Sequence, residues 1–364
     1  MVDQRLERAR AALRDQGVDA LLVGPSADLR YLTGYHALPL ERLTLLVVPA
    51  EGDAILIVPE LEAARARDSG ADKLAELRTY EEIDDPVALV VDHLGGRAAS
   101  SRLAVQDRLW ASFTLALQQA MPEADWVLGS TVMRSLRMIK TPEEIDALRA
   151  VGAAIDAVHA RVPDLLRAGR SEAEVGRDIA ELILEDHDEV NFVIVASGPN
   201  GASPHHETGA RELQPGDAVV VDIGGTRDGY CSDMTRNYAV VDLPEGYQQL
   251  HRFLEEAQDM AVAAVRPGVP AEHIDEVARD HLTAAGYGEY FIHRTGHGIG
   301  VEEHEEPWIV AGNREPLQPG MAFSVEPGVY LPGRFGARIE DIVVVTSDGV
   351  ERLNHRPRHA VVAG

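Results

Sequence analysis

The sequence contains a single cysteine, Cys231. One thiol cannot close an internal disulfide, and a cage of thiolates around a metal is excluded with it. Bases are scarce beside acids: 34 Lys and Arg stand against 60 Asp and Glu, a formal net charge of −26. Phosphate neutralisation calls for a basic surface, so nucleic acid is not an expected partner. No run of about 18 apolar residues occurs, so no membrane-spanning helix is expected. The opening MVDQRLERAR is charged and lacks the apolar centre of a signal peptide, and a cytoplasmic protein is the expectation. What is present suits a packed protein, with 45% apolar and 26% charged residues. At 364 residues the chain is longer than one hydrophobic core usually organises, which predicts two domains.

The first third alternates helix and strand patterns. Leu6, Ala9, Ala12 and Leu13 share one helical face, and Gly17 offers a C-terminal stop. Apolar runs follow at 19–24, 43–49 and 54–59, the last two joined by Glu51-Gly52-Asp53 as in a hairpin. Residues 86–94 read as a helix and 102–106 as a strand, which predicts a smaller α/β domain over 1–130. At Thr141-Pro142-Glu143-Glu144 a capping threonine, a first-turn proline and a capping-box glutamate stand in order. They open a helix to about 162, with another over 171–187, and 125–141 reads as the linker. Strands at 191–197, 218–223, 230–240, 322–330 and 337–346, with helices near 245–265 and 272–285, predict an α+β domain over 131–364.

That second domain contains an echo. Leu213-Gln214-Pro215-Gly216 opens a strand that ends at Asp222, and Leu317-Gln318-Pro319-Gly320 opens one that ends at Glu326. The shared turn and the acid at the same offset predict two related half-domains. Each acid then faces another across a predicted hairpin. The midpoint of Asp222 and Asp233 falls between Arg227 and Asp228, and that of Glu326 and Glu340 falls on Gly333. Like charges set opposite one another destabilise a sheet. Any one of these acids read alone is a solvated side chain, but four converging carboxylates need bound cations or strongly raised pKa values.

His297, between glycines in HRTGHGIG at 293–300, adds an imidazole. The same glycine spacing also occurs in phosphate-cradling loops, but neither a strand–loop–helix context nor a following Lys-Ser/Thr is present. Oxygen-rich ligands with one nitrogen and no sulfur favour manganese, cobalt or a similar divalent ion, with zinc left open. Two such ions balance the charge of four carboxylates, and paired ions acidify a shared water, which is hydrolytic machinery.

These residues resemble the "pita-bread" metallopeptidase family, M24, which includes methionine aminopeptidase, aminopeptidase P and prolidase. The resemblance runs over about 150–355 and is carried by SGPNGASPHH at 197–206, DIGGTRDGYCSDMTR at 222–236, HRTGHGIG, SVEPGVYLPG at 324–333 and ARIED at 337–341. DLRYLTGY at 28–35 is similar to the extra N-terminal domain of the proline-specific branch. The implied fold is a pita-bread domain of pseudo-twofold half-repeats behind a creatinase/prolidase-type domain.

The resemblance implies metal ligands at Asp222, Asp233, His297, Glu326 and Glu340. Asp233 and Glu340 would bridge two divalent ions, Asp222 would sit on one, and His297 with Glu326 on the other. It further implies that Glu326 relays the proton of the nucleophilic water, that His205 contacts the reacting amide, and that His304 steadies the tetrahedral intermediate. His293 would line the substrate pocket, with His206 a neighbour only. Arg338 shares a strand face with Glu340 and is expected to bind a substrate carboxylate or to support a metal ligand. Tyr230 and Cys231 read as packing residues. The implied activity is hydrolysis of the Xaa-Pro bond by a homodimer, as a dipeptidase. The alternatives are an aminopeptidase P acting on longer peptides, a hydrolase of another small amide, or a metal-free binding module of the same fold.

Overall fold

The computed structural model describes residues 2–95 and 101–364. They divide into two compact units, Met1–Arg137 and Met138–Gly364.

The N-terminal unit is built on a mixed sheet. Its strands are β1 (Ala20–Val23), β2 (Leu45–Pro49), β3 (Ile55–Pro59), β4 (Glu76–Tyr80), β5 (Arg102–Val105) and β6 (Asp125–Leu128), in the order β4-β3-β2-β1-β5-β6. β2 and β3 form the expected antiparallel hairpin, and β1, β5 and β6 run parallel. The helix Val2–Gln16 buries Leu6, Ala9 and Leu13, and Gly17 ends it in the left-handed region. The expected boundary at 130/131 and linker over 125–141 are corrected here. That stretch forms β6 and the helix Ser130–Arg137, which buries Val132, Met133 and Leu136. Arg8 Nη2 donates to the Leu136 carbonyl at 2.8 Å and Gln16 Nε2 to the Thr131 carbonyl at 3.0 Å, tying this helix to the N-terminal unit.

In the second unit Thr141 and Glu144 form the full capping box, with Pro142 in the first turn of the helix Pro142–Leu165. A second boxed helix, Glu172–Ile183, follows. Then come β7 (Glu189–Ser197), β8 (Ala218–Arg227), β9 (Tyr230–Cys231) and β10 (Met234–Val240). The helices Tyr247–Ala264 and Ala271–Ala284 open the second half. It continues through β11 (Gly296–Gly298), β12 (Glu305–Ile309), β13 (Ala322–Val325), β14 (Gly328–Leu331), β15 (Phe335–Arg338), β16 (Asp341–Val345) and β17 (Val350–Arg352), and β18 (Val361–Ala363) returns to pair with β10.

The two halves repeat at the level of single hydrogen bonds. Gly216 N–H donates to Val240 C=O at 2.8 Å and Gly320 N–H to Val345 C=O at 2.9 Å. Gly169 N–H donates to Leu213 C=O at 2.9 Å and Gly268 N–H to Leu317 C=O at 2.8 Å. Both Leu-Gln-Pro-Gly turns end on a left-handed glycine, Gly216 at φ 87° and Gly320 at φ 92°. Each half has its own apolar core, one around Ile155, Ile179, Val219 and Val221, the other around Leu254, Ile274, Phe323 and Val343. No described helix is long and apolar enough to cross a membrane.

Candidate active site

The first pair of acids sits on the β8–β10 hairpin. Its register differs by two residues from the expected one: Thr235, not Asp233, stands opposite Asp222. The turn is centred on Asp228 and Gly229, both left-handed (φ 51° and 82°), between the paired Arg227 and Tyr230. Asp228-Gly229 is the dipeptide that two-residue hairpins favour, so the signal for the correct register was present in the sequence. Asp233 lies two residues before Thr235 and thus on the same face as Asp222, diagonal to it. The second pair keeps the expected register. Val325 pairs with Asp341 and Gly328 with Arg338, so Glu326 and Glu340 flank the junction between the two ladders.

His297 arrives on β11 because the backbones around it come very close. A Cβ on Gly296 would lie 1.8 Å from the Ser324 carbonyl oxygen, and one on Gly298 would lie 2.2 Å from that of Glu306. The glycines of HRTGHGIG therefore serve sheet packing rather than a phosphate. Asp275, buried on the preceding helix, accepts from Thr295 N–H at 3.0 Å and from its hydroxyl at 2.8 Å, and also holds Arg279. Arg279 in turn donates to the carbonyls of Phe291 and His293, so the segment leading to His297 is anchored from the helix behind it.

All five expected ligands converge. Potential ligand atoms of Asp222, Asp233 and Glu340 lie within 4.8 Å of one another, as do those of His297, Glu326 and Glu340, and those of Asp233, His297 and His304. Asp222, Asp233, His297 and Glu340 are buried, and Glu326 is partly so. Burial and then the charges of Glu340 and Asp222 push the Asp233 carboxyl well above its usual range, and burial with Glu326 and Asp222 does the same to Glu340. Asp222 Oδ1 and Glu340 Oε1 are buried with no hydrogen-bond partner. Buried, mutually repelling carboxylates with orphaned oxygens fit divalent cations. Burial would also raise Glu326, but the hydrogen bond and charge of His297 outweigh it and hold that carboxyl below its usual range. Ser324 Oγ donates to Glu326 Oε1 at 3.1 Å, and His297 Nε2 lies 3.2 Å from the same oxygen.

These groups line a cavity of about 630 Å³ together with Phe192, Ile194, Pro204, His205, His293, Arg294, Glu303, His304 and Arg338. The three further expected histidines thus reach the same space. The His304 ring packs edge-on to His297, with centroids 4.1 Å apart. Loss of bulk water, then the positive charges of His297 and Arg294, lower its pKa to about 4. His293 Nε2 lies 2.8 Å from the Tyr330 hydroxyl, and burial lowers its pKa. His206 is turned away from the cavity group: its Nε2 lies 2.8 Å from Oε2 of Glu172, a buried carboxylate that also accepts from Ser197 and Asn200 and so pins the loop carrying His205.

Each guanidinium nitrogen of Arg338 donates. It donates to Asp222 Oδ2 at 2.5 Å, to the Tyr330 hydroxyl at 2.7 Å, to Thr235 Oγ1 at 3.1 Å and to the Pro204 carbonyl at 3.4 Å. Thr235 passes the connection on, donating to Glu340 Oε2 at 2.8 Å. Tyr230 and Cys231 are buried, as expected of packing residues. Thr235, Tyr330, Arg294, Glu303 and Asp275 were missed in the sequence. Only their three-dimensional placement marks them, although Thr235 stands opposite Asp222 once the Asp-Gly turn is recognised.

The comparisons agree with this geometry. Residues 146–347 match the metallopeptidase family M24 and residues 5–139 the creatinase/prolidase N-terminal domain. The chain is 52% identical over 363 residues to a "Probable dipeptidase PepE" of Mycobacterium tuberculosis, covering 99% of this chain and 96% of that one. It is 36% identical to the Xaa-Pro dipeptidase of Lactobacillus helveticus, covering 96% of each. The crystal structure of dipeptidase PepE from Mycobacterium ulcerans superposes with a TM-score of 0.94 at 51% identity, covering 99% of this chain and 97% of that one. A family match over more than half the chain, and relatives similar from end to end, establish that it belongs to metallopeptidase family M24 and is a peptidase.

Proposed function

We propose that the chain is a prolidase, hydrolysing Xaa-Pro dipeptides with two divalent ions, manganese or cobalt, held by Asp222, Asp233, His297, Glu326 and Glu340. The observation that carries this reading is the convergence of those five side chains on one cavity, with the buried oxygens Asp222 Oδ1 and Glu340 Oε1 lacking partners. Glu340 and Asp233 are the two carboxylates that each belong to two of the three triads found among the described residues, and Asp233 approaches His297 as well as Asp222, so these two carboxylates would be the ones able to serve both ions. The dipeptide and the proline come from what the relatives are called.

Ions held there supply Lewis-acid polarisation of the scissile carbonyl and acidify a water. The rest falls to the chain. Glu326, oriented by Ser324 and His297, takes the proton of the attacking water and relays it toward the proline nitrogen. That nitrogen belongs to a tertiary amide without an N–H, so it must gain a proton to leave. His205 contacts the reacting amide, and His304 donates to the carbonyl oxygen as charge grows on it. His293, held by Tyr330, forms the wall of the substrate pocket. Arg338 holds Asp222.

The test is turnover of Ala-Pro with each metal, by the native protein and by Asp233→Ala. Loss in the variant is the expected result, and undiminished turnover refutes the site. Faster turnover of Ala-Pro-Ala-Ala than of Ala-Pro would instead make the protein an aminopeptidase P. The resemblance also carries a homodimer in the cytoplasm, read by light scattering and by cell fractionation.

A further inference from the structure

One charged group on the cavity wall is not used by the ligand cluster. Arg294 is half-buried, and its guanidinium carbon lies 4.3 Å from the centroid of the Trp308 ring. The neighbouring guanidiniums are all taken: Arg338 by Asp222, Arg279 by Asp275 and Arg236 by Asp341. Arg294 has no ion pair and no side-chain hydrogen bond to a carboxylate among the described residues. Glu303, another acid on the same wall, is hydrogen-bonded to Asn191. A partly dehydrated cation without a fixed anion is costly, and that cost falls when a ligand brings the anion.

The chemistry of the missing anion follows from the geometry. Placement over the Trp308 ring engages the face of a guanidinium rather than its N–H groups, and a planar fork of N–H groups matches a carboxylate. In a dipeptide ending in proline, a single carbon separates the scissile nitrogen from the terminal carboxylate. A cation that reads this carboxylate must therefore stand beside the reacting groups. The charge of Arg294 acts on His304, and that of Glu326 acts on Arg294, so it stands within their reach.

Resting on the prolidase reading above, we propose that Arg294 binds the free C-terminal carboxylate of the substrate and thereby restricts the enzyme to dipeptides, with Trp308 as the residue that positions it. A longer peptide has a neutral amide in that place, which can accept a hydrogen bond but cannot form an ion pair, and Arg294 stays without its anion.

The experiment compares Ala-Pro with its neutral isostere Ala-Pro-amide on the metal-loaded enzyme. The native protein should favour the acid by about tenfold or more in kcat/KM, as expected for a charge-assisted pair. Arg294→Gln should bring the acid-to-amide ratio close to one, chiefly through KM for the acid, and Arg294→Lys should restore part of it. An unchanged ratio in Arg294→Gln, or equal losses on both substrates, would overturn the proposal. If the native protein cleaves neither compound, the prolidase reading fails separately. Calorimetric binding of uncleaved Ala-Pro and its amide then decides the role of Arg294. Tighter binding of the acid that is lost in Arg294→Gln supports it, and equal binding of both compounds overturns it.

Discussion

Arg338 donates to Asp222 at 2.5 Å, and both side chains are buried, one residue from each of the two hairpins that supply the proposed ligands. The sequence left Arg338 with two possible roles, substrate carboxylate or metal ligand. Its other nitrogens already donate to Thr235, Tyr330 and the Pro204 carbonyl, which favours support of Asp222 over capture of a substrate. An outer partner that orients a ligating carboxylate is worth about 10–100-fold in metal affinity or activity. Arg338→Met is expected to weaken metal binding by that order, with turnover recovering in large part at high metal concentration. Metal titration of the chelated protein measures it, and unaltered affinity with a raised KM would return Arg338 to the substrate.

Chelation should change how stability depends on pH. Without cations, burial and mutual repulsion hold the Asp233 and Glu340 carboxyls well above their usual range, so the folded apoprotein keeps protons that the unfolded chain has released. Where the folded state binds more protons, stability falls as pH rises, here from the unfolded carboxylate range upward through the folded pKa values. Urea unfolding at pH 5 and pH 7 should show the apoprotein losing stability over that interval relative to the loaded protein. Metal binding at pH 6 should release on the order of one proton per ion, read by calorimetry in buffers of different ionisation enthalpy. Proton-neutral binding would mean that these carboxyls are already ionised.

The repeat, the cap at Thr141 and the convergence of the four acids were legible because each is a local pattern, a turn tetrapeptide, a capping box and acids at a matched offset, while the full set of five proposed ligands came with the family resemblance. The register of β8 against β10 was also local, encoded in Asp228-Gly229, and was misread by two residues because symmetry between the acids was weighed above turn chemistry. The helix Ser130–Arg137 was assigned to the wrong unit since its partners, Arg8, Gln16 and Tyr31, lie more than a hundred residues earlier. The partners of Arg338, and the absence of an ion pair at Arg294 among the described residues, were beyond reach for the same reason. Which of two arginines keeps a free edge depends on hydroxyls and carbonyls brought in by other strands, and no spacing along the chain encodes that.

Gly296 gives a steric prediction. A methyl group there meets the Ser324 carbonyl oxygen at 1.8 Å, and this backbone cannot withdraw without disturbing β13, which leads into Glu326. Gly296→Ala is expected to cost about 3 kcal/mol or more, in the range of severe core overpacking, and to remove metal binding with it. Urea denaturation and metal titration test both parts. A stable variant with full metal affinity would show that β11 has slack that the contact distances deny.

His159 should make the folded protein sensitive to acid independently of the active site. It is fully buried on the long helix Pro142–Leu165, with Nε2 3.0 Å from the Met234 carbonyl and Nδ1 2.9 Å from the Tyr238 hydroxyl. Burial, then the positive charge of Arg236, lowers its pKa from 6.5 to about 3. The unfolded chain therefore takes up a proton below about pH 6.5 that the folded chain refuses until about pH 3. Stability from this group is fully present above the unfolded value and is lost as pH falls toward the folded one, with a limiting slope of about 1.4 kcal/mol per pH unit. His159→Gln keeps hydrogen-bonding capacity but has no proton to gain. Its urea-unfolding free energy should fall less between pH 7 and pH 5 than that of the native protein, by about 1–2 kcal/mol. Parallel losses in the two proteins would show that His159 is accessible to protons while the fold is intact.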